Sequence, residues 1–181
     1  MPPRRLPGRI LDGIAVVVVL AAVVRFVVLP RVGHPAIVAA PPVVLARVDG
    51  PPFDLAKQRG RVVFLDFWAT WCDPCRASIP LVQHFKRTHP EAVVVSVDVG
   101  ESPQLVAPFV KQFAMRDVAL DPDERVSKSF GITGFPTMIV IDPGGTIRGR
   151  WPGYDPDVEK AMAEAQARWS APRRTAARAT R

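Results

Sequence analysis

FWATWCDPCRASIP, residues 67–80, contains both cysteines of this 181-residue chain, Cys72 and Cys75. Three positions apart on a helix, two residues share a face, and their Cα atoms are close enough for a disulfide. The apolar run RVVFLDFW before them predicts a strand buried on both faces, and residues 74–88 have a helical pattern with Pro80 inside it. We therefore expect a buried strand that leads directly into two cysteines at the start of a helix.

The position of Cys72 predicts a nucleophile. Unsatisfied N–H groups and the positive end of the helix dipole stabilise a thiolate there. Such a thiolate attacks a partner's disulfide, and Cys75 then resolves the mixed disulfide. Asp73, between the cysteines, places a negative charge beside the first sulfur and disfavours its thiolate. A less stable thiolate makes the reduced form the better electron donor, so we expect a reductase.

Three other roles for the cysteines compete with this one. A structural disulfide would close so short a loop that it would remove little unfolded-state entropy. A zinc site would need His84 and His89, but His84 stands nine residues beyond Cys75, on the opposite side of the helix. A redox-inert binding or metal-carrying module remains the alternative. We expect no metal and no cofactor, since the sequence has no phosphate-binding loop or paired-carboxylate motif.

Asp66 is an acid inside the apolar run that predicts the buried strand. Burial raises the pKa of a carboxyl group, which would suit Asp66 to exchange a proton with the Cys75 thiol during resolution. The alternative is an aspartate at the end of a strand whose neighbours satisfy its polar atoms. We predict a catalytic role for Asp66.

The positive charge lies at the ends of the chain. Residues 1–31 carry a net +4 and residues 168–181 a net +5, so that the 136 residues between them have −2 of the total +7. Because the body of the protein is not basic, we expect no nucleic-acid binding. The basic segment 1–12 precedes an apolar run at 13–29, which predicts a transmembrane signal-anchor or, alternatively, a cleaved signal peptide.

The rest of the chain divides into a linker, a folded domain and a tail. Residues 30–42 are rich in proline and alanine and predict a linker, 43–169 a folded domain, and 170–181 a disordered basic tail. Within the domain the patterns predict a hairpin around Asp49-Gly50 and a second hairpin around 143–145. They also predict a strand over 91–99 and helices over 102–115, 123–130 and 155–169.

FLDFWATWCDPC with Pro80 after it, GITGFPT and IDPGGTI together resemble the thioredoxin superfamily. With the leading apolar segment, the chain is most similar to the exported TlpA/ResA-type thiol-disulfide oxidoreductases, over about residues 43–169. The resemblance implies an α/β thioredoxin fold, a mixed central sheet flanked by helices with an added N-terminal β-hairpin. It also implies that Pro136 is cis and lies against the disulfide, that Phe135, Thr137 and Trp71 border the peptide-binding surface, and that Asp66 matches an aspartate of thioredoxins.

The resemblance implies a protein-disulfide reductase that acts on oxidised exported proteins and is recharged by an upstream thiol donor. We expect a monomer in a bacterial cell membrane, attached by one N-terminal helix with its catalytic domain on the extracytoplasmic, periplasmic side. If the signal is cleaved, the protein is secreted instead. Many TlpA/ResA relatives carry an acid where this chain has Ser78, so that proton handling would rest on Asp66.

Overall fold

A mixed β-sheet of seven strands forms the centre of the protein in a computed structural model that describes residues 38–170. The strands are β1 (Val44–Arg47), β2 (Phe53–Asp54), β3 (Val63–Trp68), β4 (Val93–Val99), β5 (Val118–Asp121), β6 (Thr137–Ile141) and β7 (Ile147–Pro152). The helices are α1 (Asp73–Thr88), α2 (Pro103–Gln112), α3 (Arg125–Ser129) and α4 (Val158–Ser170), with a 3-10 turn at Leu55–Gln58. The sheet order is β2-β1-β5-β4-β3-β6-β7, and the predicted α/β fold is confirmed.

The middle of the sheet carries the cysteine segment. β3 pairs with β4 in parallel and with β6 antiparallel, and all six of its residues are buried, as its apolar sequence predicts. The crossover from β3 through α1 to β4 is the expected parallel unit. Since β3 ends at Trp68 and α1 begins at Asp73, Cys72 and Cys75 lie at the carboxyl edge of the sheet.

The predicted N-terminal hairpin is confirmed. Leu45 of β1 pairs with Phe53 of β2, and Gly50 in the turn has a φ of 82°, which glycine adopts without strain. β1 joins the main sheet by pairing antiparallel with β5. The sequence patterns did not predict β5, because its four residues form too short an apolar run to show a period. They also extended α2 to Met115, whereas it ends at Gln112 and Ala114 has left the helix with a φ of 48°.

Two predicted boundaries differ from the structure. The last residues of the predicted linker already belong to the fold, since the Ala40 N–H donates to the Gly145 carbonyl at 2.9 Å and the Ile147 N–H to the Val38 carbonyl at 2.9 Å. The closing helix α4 begins at Val158 rather than at Asp155. The Asp155 side chain instead accepts a hydrogen bond from the Asp157 N–H at 2.8 Å, in the turn before the helix.

Alternate residues of β3 face opposite sides of the sheet. Leu65 and Phe67 pack with the β1–β2 hairpin, whereas Phe64 packs with α1 and α4 and Trp68 with α1 and α2. Asp66, between Phe64 and Trp68 on this second side, therefore faces α1.

The described helices include none that is both long and apolar enough to cross a membrane. The apolar run at 13–29 and nearly all of the tail at 170–181 lie outside the described residues.

Candidate active site

Cys72 and Cys75 form a disulfide at the beginning of α1, with their Cα atoms 5.2 Å apart. Cys72 is the N-cap residue, and its Sγ accepts a hydrogen bond from the Cys75 N–H at 3.2 Å. Pro74 lies in the first turn, where a missing N–H costs nothing. The first sulfur therefore lies where the helix presents its unpaired N–H groups, as the spacing predicts.

Only one of the two cysteines borders the cleft beside the disulfide. This front cleft, of about 640 Å³, is lined by Trp71, Cys72, Asp73, Pro74, Val99, Gly100, Glu124, Ser127, Lys128, Ile132, Thr133, Gly134 and Phe135. Cys75 is not among them, and it is 1% exposed against 4% for Cys72. The cleft thus gives a partner access to the first sulfur, which supports the assignment of Cys72 as nucleophile.

Two aromatic side chains border the front cleft. Trp71 is 66% exposed, and its ring lies 5.8 Å from that of Phe135 in an edge-to-face arrangement. Phe135 also packs against the buried cluster that includes both cysteines. A large apolar ring so exposed beside a reactive sulfur is available to pack against a bound segment.

The Phe135–Pro136 peptide bond is cis. Pro136 is buried, and Thr137 is buried with its Oγ1 donating to the Gly134 carbonyl at 2.7 Å. The Thr137 side chain does not line the front cleft. The structure therefore places Trp71 and Phe135 on the surface that the resemblance implies, and Thr137 beneath it.

Asp66 is buried in the sheet at 4% exposure. Burial raises the pKa of its carboxyl group from 3.8 to about 7, and a hydrogen bond from Ser96 on β4 acts in the opposite direction. A carboxyl group with a pKa in this range exchanges protons readily near neutral pH. The sequence predicted this elevation from an acid inside an apolar strand.

A second opening, the rear cavity, lies on the other side of the cis peptide. It has a volume of about 350 Å³ and is lined by Asp66, Ser78, Val82, Pro136, Met138, Arg150, Trp151, Pro152, Gly153, Asp155, Val158 and Ala161. Ser78 connects it to the disulfide, since its Oγ donates to the Cys75 carbonyl at 2.8 Å. Asp66 and the helical turn that carries Cys75 therefore share this cavity.

The loop before the cysteines is held from two sides, which the sequence analysis missed. The Glu101 carboxylate accepts hydrogen bonds from the Thr70 N–H at 2.5 Å and the Thr70 hydroxyl at 2.7 Å. The Arg76 guanidinium donates to the Thr70 carbonyl at 3.0 and 2.7 Å. These contacts fix the backbone immediately before Trp71 and Cys72. A sequence signal did exist, because Glu101 closely follows a predicted strand parallel to β3.

A second buried acid lies near the hydrogen bonds between Glu101 and Thr70. Asp98, in β4, is fully buried, and burial together with the neighbouring Glu101 carboxylate raises its pKa to about 8. Because this pKa lies above neutrality, Asp98 holds a proton at neutral pH.

Asp73 and His84 of α1 each contact another side chain. Asp73 is highly exposed and forms an ion pair with Arg76 at 3.5 Å. His84 contacts Glu159 of α4 at 2.5 Å, away from the cysteines. Among residues 38–170, no group of three or more histidine, cysteine, aspartate or glutamate side chains is placed to hold a metal ion.

The chain is similar to a described protein family and to proteins named as thiol-disulfide oxidoreductases. Residues 35–166 match the family model described as Redoxin. The thiol-disulfide oxidoreductase ResA of Bacillus subtilis (strain 168) is 36% identical over 113 residues, which are 60% of this chain and 62% of that protein. ResA of Bacillus cereus (strain ATCC 10987 / NRS 248) is 32% identical over 111 residues, 60% of this chain and 64% of that protein. The chain thus matches less than two thirds of the length of these curated relatives.

Solved structures share the fold over most of their length. A thiol:disulfide interchange protein of the thioredoxin family from Chlorobium tepidum TLS is 29% identical with a TM-score of 0.65, covering 74% of this chain and 99% of that one. The exposed lipoprotein thioredoxin Etrx1 from Streptococcus pneumoniae strain TIGR4 is 25% identical with a TM-score of 0.65, covering 71% of this chain and 99% of that one.

Proposed function

The chain belongs to the Redoxin family, and from this premise we propose that it is a thiol-disulfide oxidoreductase whose Cys72 and Cys75 exchange a disulfide with other proteins. One observation carries the proposal: the disulfide lies at the N-terminus of α1 with Cys72 alone facing the front cleft. A partner sulfur in the cleft therefore meets Cys72 first, and Cys75 lies behind it, where resolution requires it.

The reaction proceeds in two displacements. In the reduced protein the Cys72 thiolate attacks one sulfur of a client disulfide, forming a mixed disulfide and releasing the other client sulfur as a thiolate. Cys75 then transfers its proton to the Asp66 carboxylate, and its thiolate attacks the Cys72 sulfur. The Cys72–Cys75 disulfide forms and the client's second thiolate leaves. Two electrons have passed to the client, and an upstream thiol donor must restore the dithiol.

The proposed direction of electron flow is reduction of the client. Support comes from the exposed Asp73 carboxylate beside Cys72, which disfavours the thiolate and so disfavours the reduced form. Its partner Arg76 reduces this effect without removing it, since the pair is exposed at the surface. A midpoint potential in the strongly oxidising range, measured against glutathione buffers, would overturn this direction.

The proposed setting is extracytoplasmic. The basic segment 1–12 followed by the apolar run at 13–29 supports a single-pass anchor in a bacterial cell membrane, with a linker after it and residues 38–170 as the catalytic domain. The clients are then oxidised exported proteins, which bind as extended segments beside Trp71, Phe135 and Pro136, and the protein is a monomer. Protease added to intact spheroplasts should digest the domain; protection of the domain would place it on the other side.

Insulin reduction with dithiothreitol tests the activity directly. We expect the protein to accelerate precipitation of the insulin B chain and the Cys72→Ser variant to lose this effect. Cys75→Ala should accumulate clients covalently bound to Cys72 in the native host, because the resolving sulfur is gone. Equal rates for the wild type and Cys72→Ser would refute the activity, whereas stoichiometric metal in the purified protein would indicate a metal-carrying module.

A further inference from the structure

We propose that the protein binds a phosphate group, either free phosphate or the phosphate of an ester, in a cavity lined by Arg47, Arg61 and Lys86. This basic cavity lies at the edge of the sheet opposite the cysteines. The proposal therefore goes beyond thiol exchange and does not depend on it. Asp117 also lines the basic cavity and limits how tightly the anion binds.

The basic cavity lies where the parallel strands begin. Arg61 precedes β3, Val93 begins β4 and Asp117 precedes β5, and all three residues line the cavity. The cysteines follow the carboxyl end of β3, at the other edge of the sheet. The basic cavity has a volume of about 330 Å³, which is typical of sites for small molecules.

One wall of the basic cavity is a part of β4 that has no neighbour on the side of β5. Ser96 pairs with Val118, the first residue of β5. The first three residues of β4, 93–95, therefore extend beyond the beginning of β5, and they line the cavity. The cavity thus lies in the space beside β4 where the next strand has not yet begun.

Three cationic side chains from different parts of the chain line this space. Arg47 is the last residue of β1, Arg61 stands before β3, and Lys86 lies in the last turn of α1. Among the described residues that line the cavity, Asp117 is the only acid, and it forms ion pairs with both Arg47 and Lys86. The lining is therefore positive overall, which favours an anionic ligand.

The Arg47 guanidinium has donors that the protein does not use. Its side chain is only 19% exposed, and its Nη2 contacts Asp117. Its Nε is buried and has no hydrogen-bond partner among the described residues. A guanidinium carries five N–H donors, and leaving buried donors unpaired costs free energy. An oxyanion beside Arg47 supplies acceptors that Asp117 alone does not.

Lys86 is a second buried cation of this cluster, with its side chain 15% exposed. Its pKa is lowered to about 7, first by burial and then by the Arg47 charge, with Arg116 acting in the same direction and Asp49 in the opposite one. Its ammonium group donates to the Arg116 carbonyl at 2.7 Å. The acids nearby therefore do not balance the positive charge, and a bound anion favours the charged form of Lys86.

The Arg61 guanidinium is fixed in place. It donates through Nε and Nη2 to the carbonyls of residues 90–92, with each of the three distances at 3.1 Å. Because these contacts hold the side chain at the cavity before any ligand arrives, little conformational entropy is lost when an anion binds beside it.

A phosphate group suits this lining better than a carboxylate. The cations come from β1, from the loop before β3 and from α1, so that they approach a ligand from several directions. A carboxylate offers two oxygens in one plane, whereas phosphate oxygens point in several directions and pair with guanidinium groups. A phosphate monoester carries a charge of about −1.5 to −2 near pH 7, which matches the excess of cations over acids in the lining.

Replacing Asp117 by asparagine tests the proposal through a gain of affinity. Asp117 has a φ of 55°, and asparagine is one of the residues that adopt this conformation routinely. Inorganic phosphate is titrated into the full chain in a neutral detergent at constant ionic strength, and ¹⁵N NMR shifts give the Kd. We expect saturable binding with a Kd of about 1 mM or below for the wild type. Asp117→Asn should bind at least about threefold more tightly, because a carboxylate that repels the ligand is gone.

Arg47→Gln should weaken phosphate binding at least about tenfold, because charge-assisted hydrogen bonds are lost. Arg87→Gln, at an exposed position of α1 off the cavity, is the matched control and should bind as the wild type does. Equal Kd values for Arg47→Gln and Arg87→Gln, or shifts that do not saturate, would indicate an adventitious ion only and overturn the proposal. If Arg47→Gln does not fold, Asp117→Asn decides, since misfolding cannot raise affinity; an unchanged Kd in Asp117→Asn would overturn the proposal.

Two further titrations distinguish the sources of the phosphate group. Glycerol 3-phosphate represents soluble phosphate esters, and glycerophosphoglycerol represents the headgroup of an anionic lipid. Saturable binding of either compound that Arg47→Gln weakens supports the proposal, and the tighter of the two identifies the source. Insulin reduction by the same preparations tests thiol exchange separately, because the basic cavity and the front cleft share no lining residue.

Discussion

Asp66 connects the stability of the protein to its proposed chemistry. The Asp66 carboxyl group is only 4% exposed, which disfavours its charged form and raises its pKa from 3.8 to about 7. The folded state therefore binds a proton over a pH range in which the unfolded chain has lost it. The same raised pKa that would suit Asp66 to its proposed role as proton acceptor means that the fold is less stable once Asp66 is charged.

Replacing Asp66 by asparagine should flatten the dependence of stability on pH. With a folded pKa of about 7 against 3.8, the stabilisation is complete below the unfolded value and is lost as pH rises through 7. Asp66→Asn should therefore be more stable than the wild type at pH 8.5 by a few kcal/mol, each pKa unit being worth about 1.4 kcal/mol. Urea denaturation at pH 5 and pH 8.5 measures the unfolding free energy of both proteins.

Asp98 also has a raised pKa, of about 8, so that it too makes the folded state less stable as pH rises. Asp66→Asn should therefore retain part of the wild-type dependence of unfolding free energy on pH. If the unfolding free energy of Asp66→Asn depended on pH as strongly as that of the wild type, Asp66 would not titrate between pH 5 and 8.5. That result would remove the basis for the proposed role of Asp66 as proton acceptor.

At the scale of single residues, the sequence predicted what depends on local spacing. The cysteine pair follows from positions three apart before a helix, and Asp66 from an acid inside an apolar run. Glu101 was missed because its partner Thr70 is 31 positions away. Recognising that pair requires knowing that the ends of β3 and β4 are neighbours and that the loop after β3 turns back over β4.

At the scale of elements, the beginning of α1 depends on the loop before it. Thr70 is held through its N–H and hydroxyl by Glu101 and through its carbonyl by Arg76. Arg76 also lies over the Phe109 ring of α2 at 5.6 Å. The loop after β4, α1 and α2 therefore together fix the position of Cys72 relative to the front cleft. The geometry of the proposed attack by Cys72 depends on all three.

Removing the Glu101 carboxylate should loosen this loop. Glu101→Ala leaves the Thr70 N–H and hydroxyl without their acceptor, which should cost about 1–3 kcal/mol of unfolding free energy and slow attack by Cys72. Glu164→Ala, at an exposed position of α4, is the matched control. Urea denaturation measures the unfolding free energy, and the rate at which the reduced protein releases the first thiol of a peptide disulfide measures attack by Cys72. Equal values for the two variants would mean that the Glu101–Thr70 hydrogen bonds do not hold this loop.

Element prediction failed where the chain is locally ambiguous. β5 has four residues, and it is a strand because β4 and β1 pair with both of its edges. Pairing partners distant in sequence decide such a segment, and its own pattern does not. The longer elements β3 and α1 carry enough period in their own sequence to be predicted.

At the scale of the whole molecule, the β1–β2 hairpin extends the sheet beyond β5. Leu45 is buried with the Phe53 ring in the cluster that covers one side of the sheet, whereas Val44 in the same strand is 68% exposed. The hairpin therefore contributes to the common core and is not an appendage that could be lost without effect.

Leu45→Ala should lower the unfolding free energy of the whole domain by about 2–5 kcal/mol, the usual cost of such a cavity. Val44→Ala, the control in the same strand, should stay within about 0.5 kcal/mol of the wild type. Guanidinium denaturation followed by tryptophan fluorescence is a suitable measurement, because all four tryptophans lie outside the hairpin. If Leu45→Ala leaves the fluorescence transition at the wild-type denaturant concentration, the hairpin unfolds on its own.

The fold should not require the terminal segments. Residues 38–170 contain the whole sheet, its helices and both openings, so that a fragment of these residues should fold and reduce insulin at the rate of the full chain. Circular dichroism and the insulin assay compare the two proteins. A fragment that is unfolded, or folded with activity lowered tenfold, would show that residues outside this range complete the domain.

Alkylation of the reduced protein by iodoacetamide, read for each cysteine by mass spectrometry across pH, tests the central claim most directly. The account predicts that Cys72 reacts faster than Cys75 and, near neutral pH, faster than free cysteine, reaching half its maximal rate at a lower pH, because the N-terminus of α1 stabilises its thiolate. Two cysteines that react equally slowly, neither exceeding free cysteine at any pH, would contradict it.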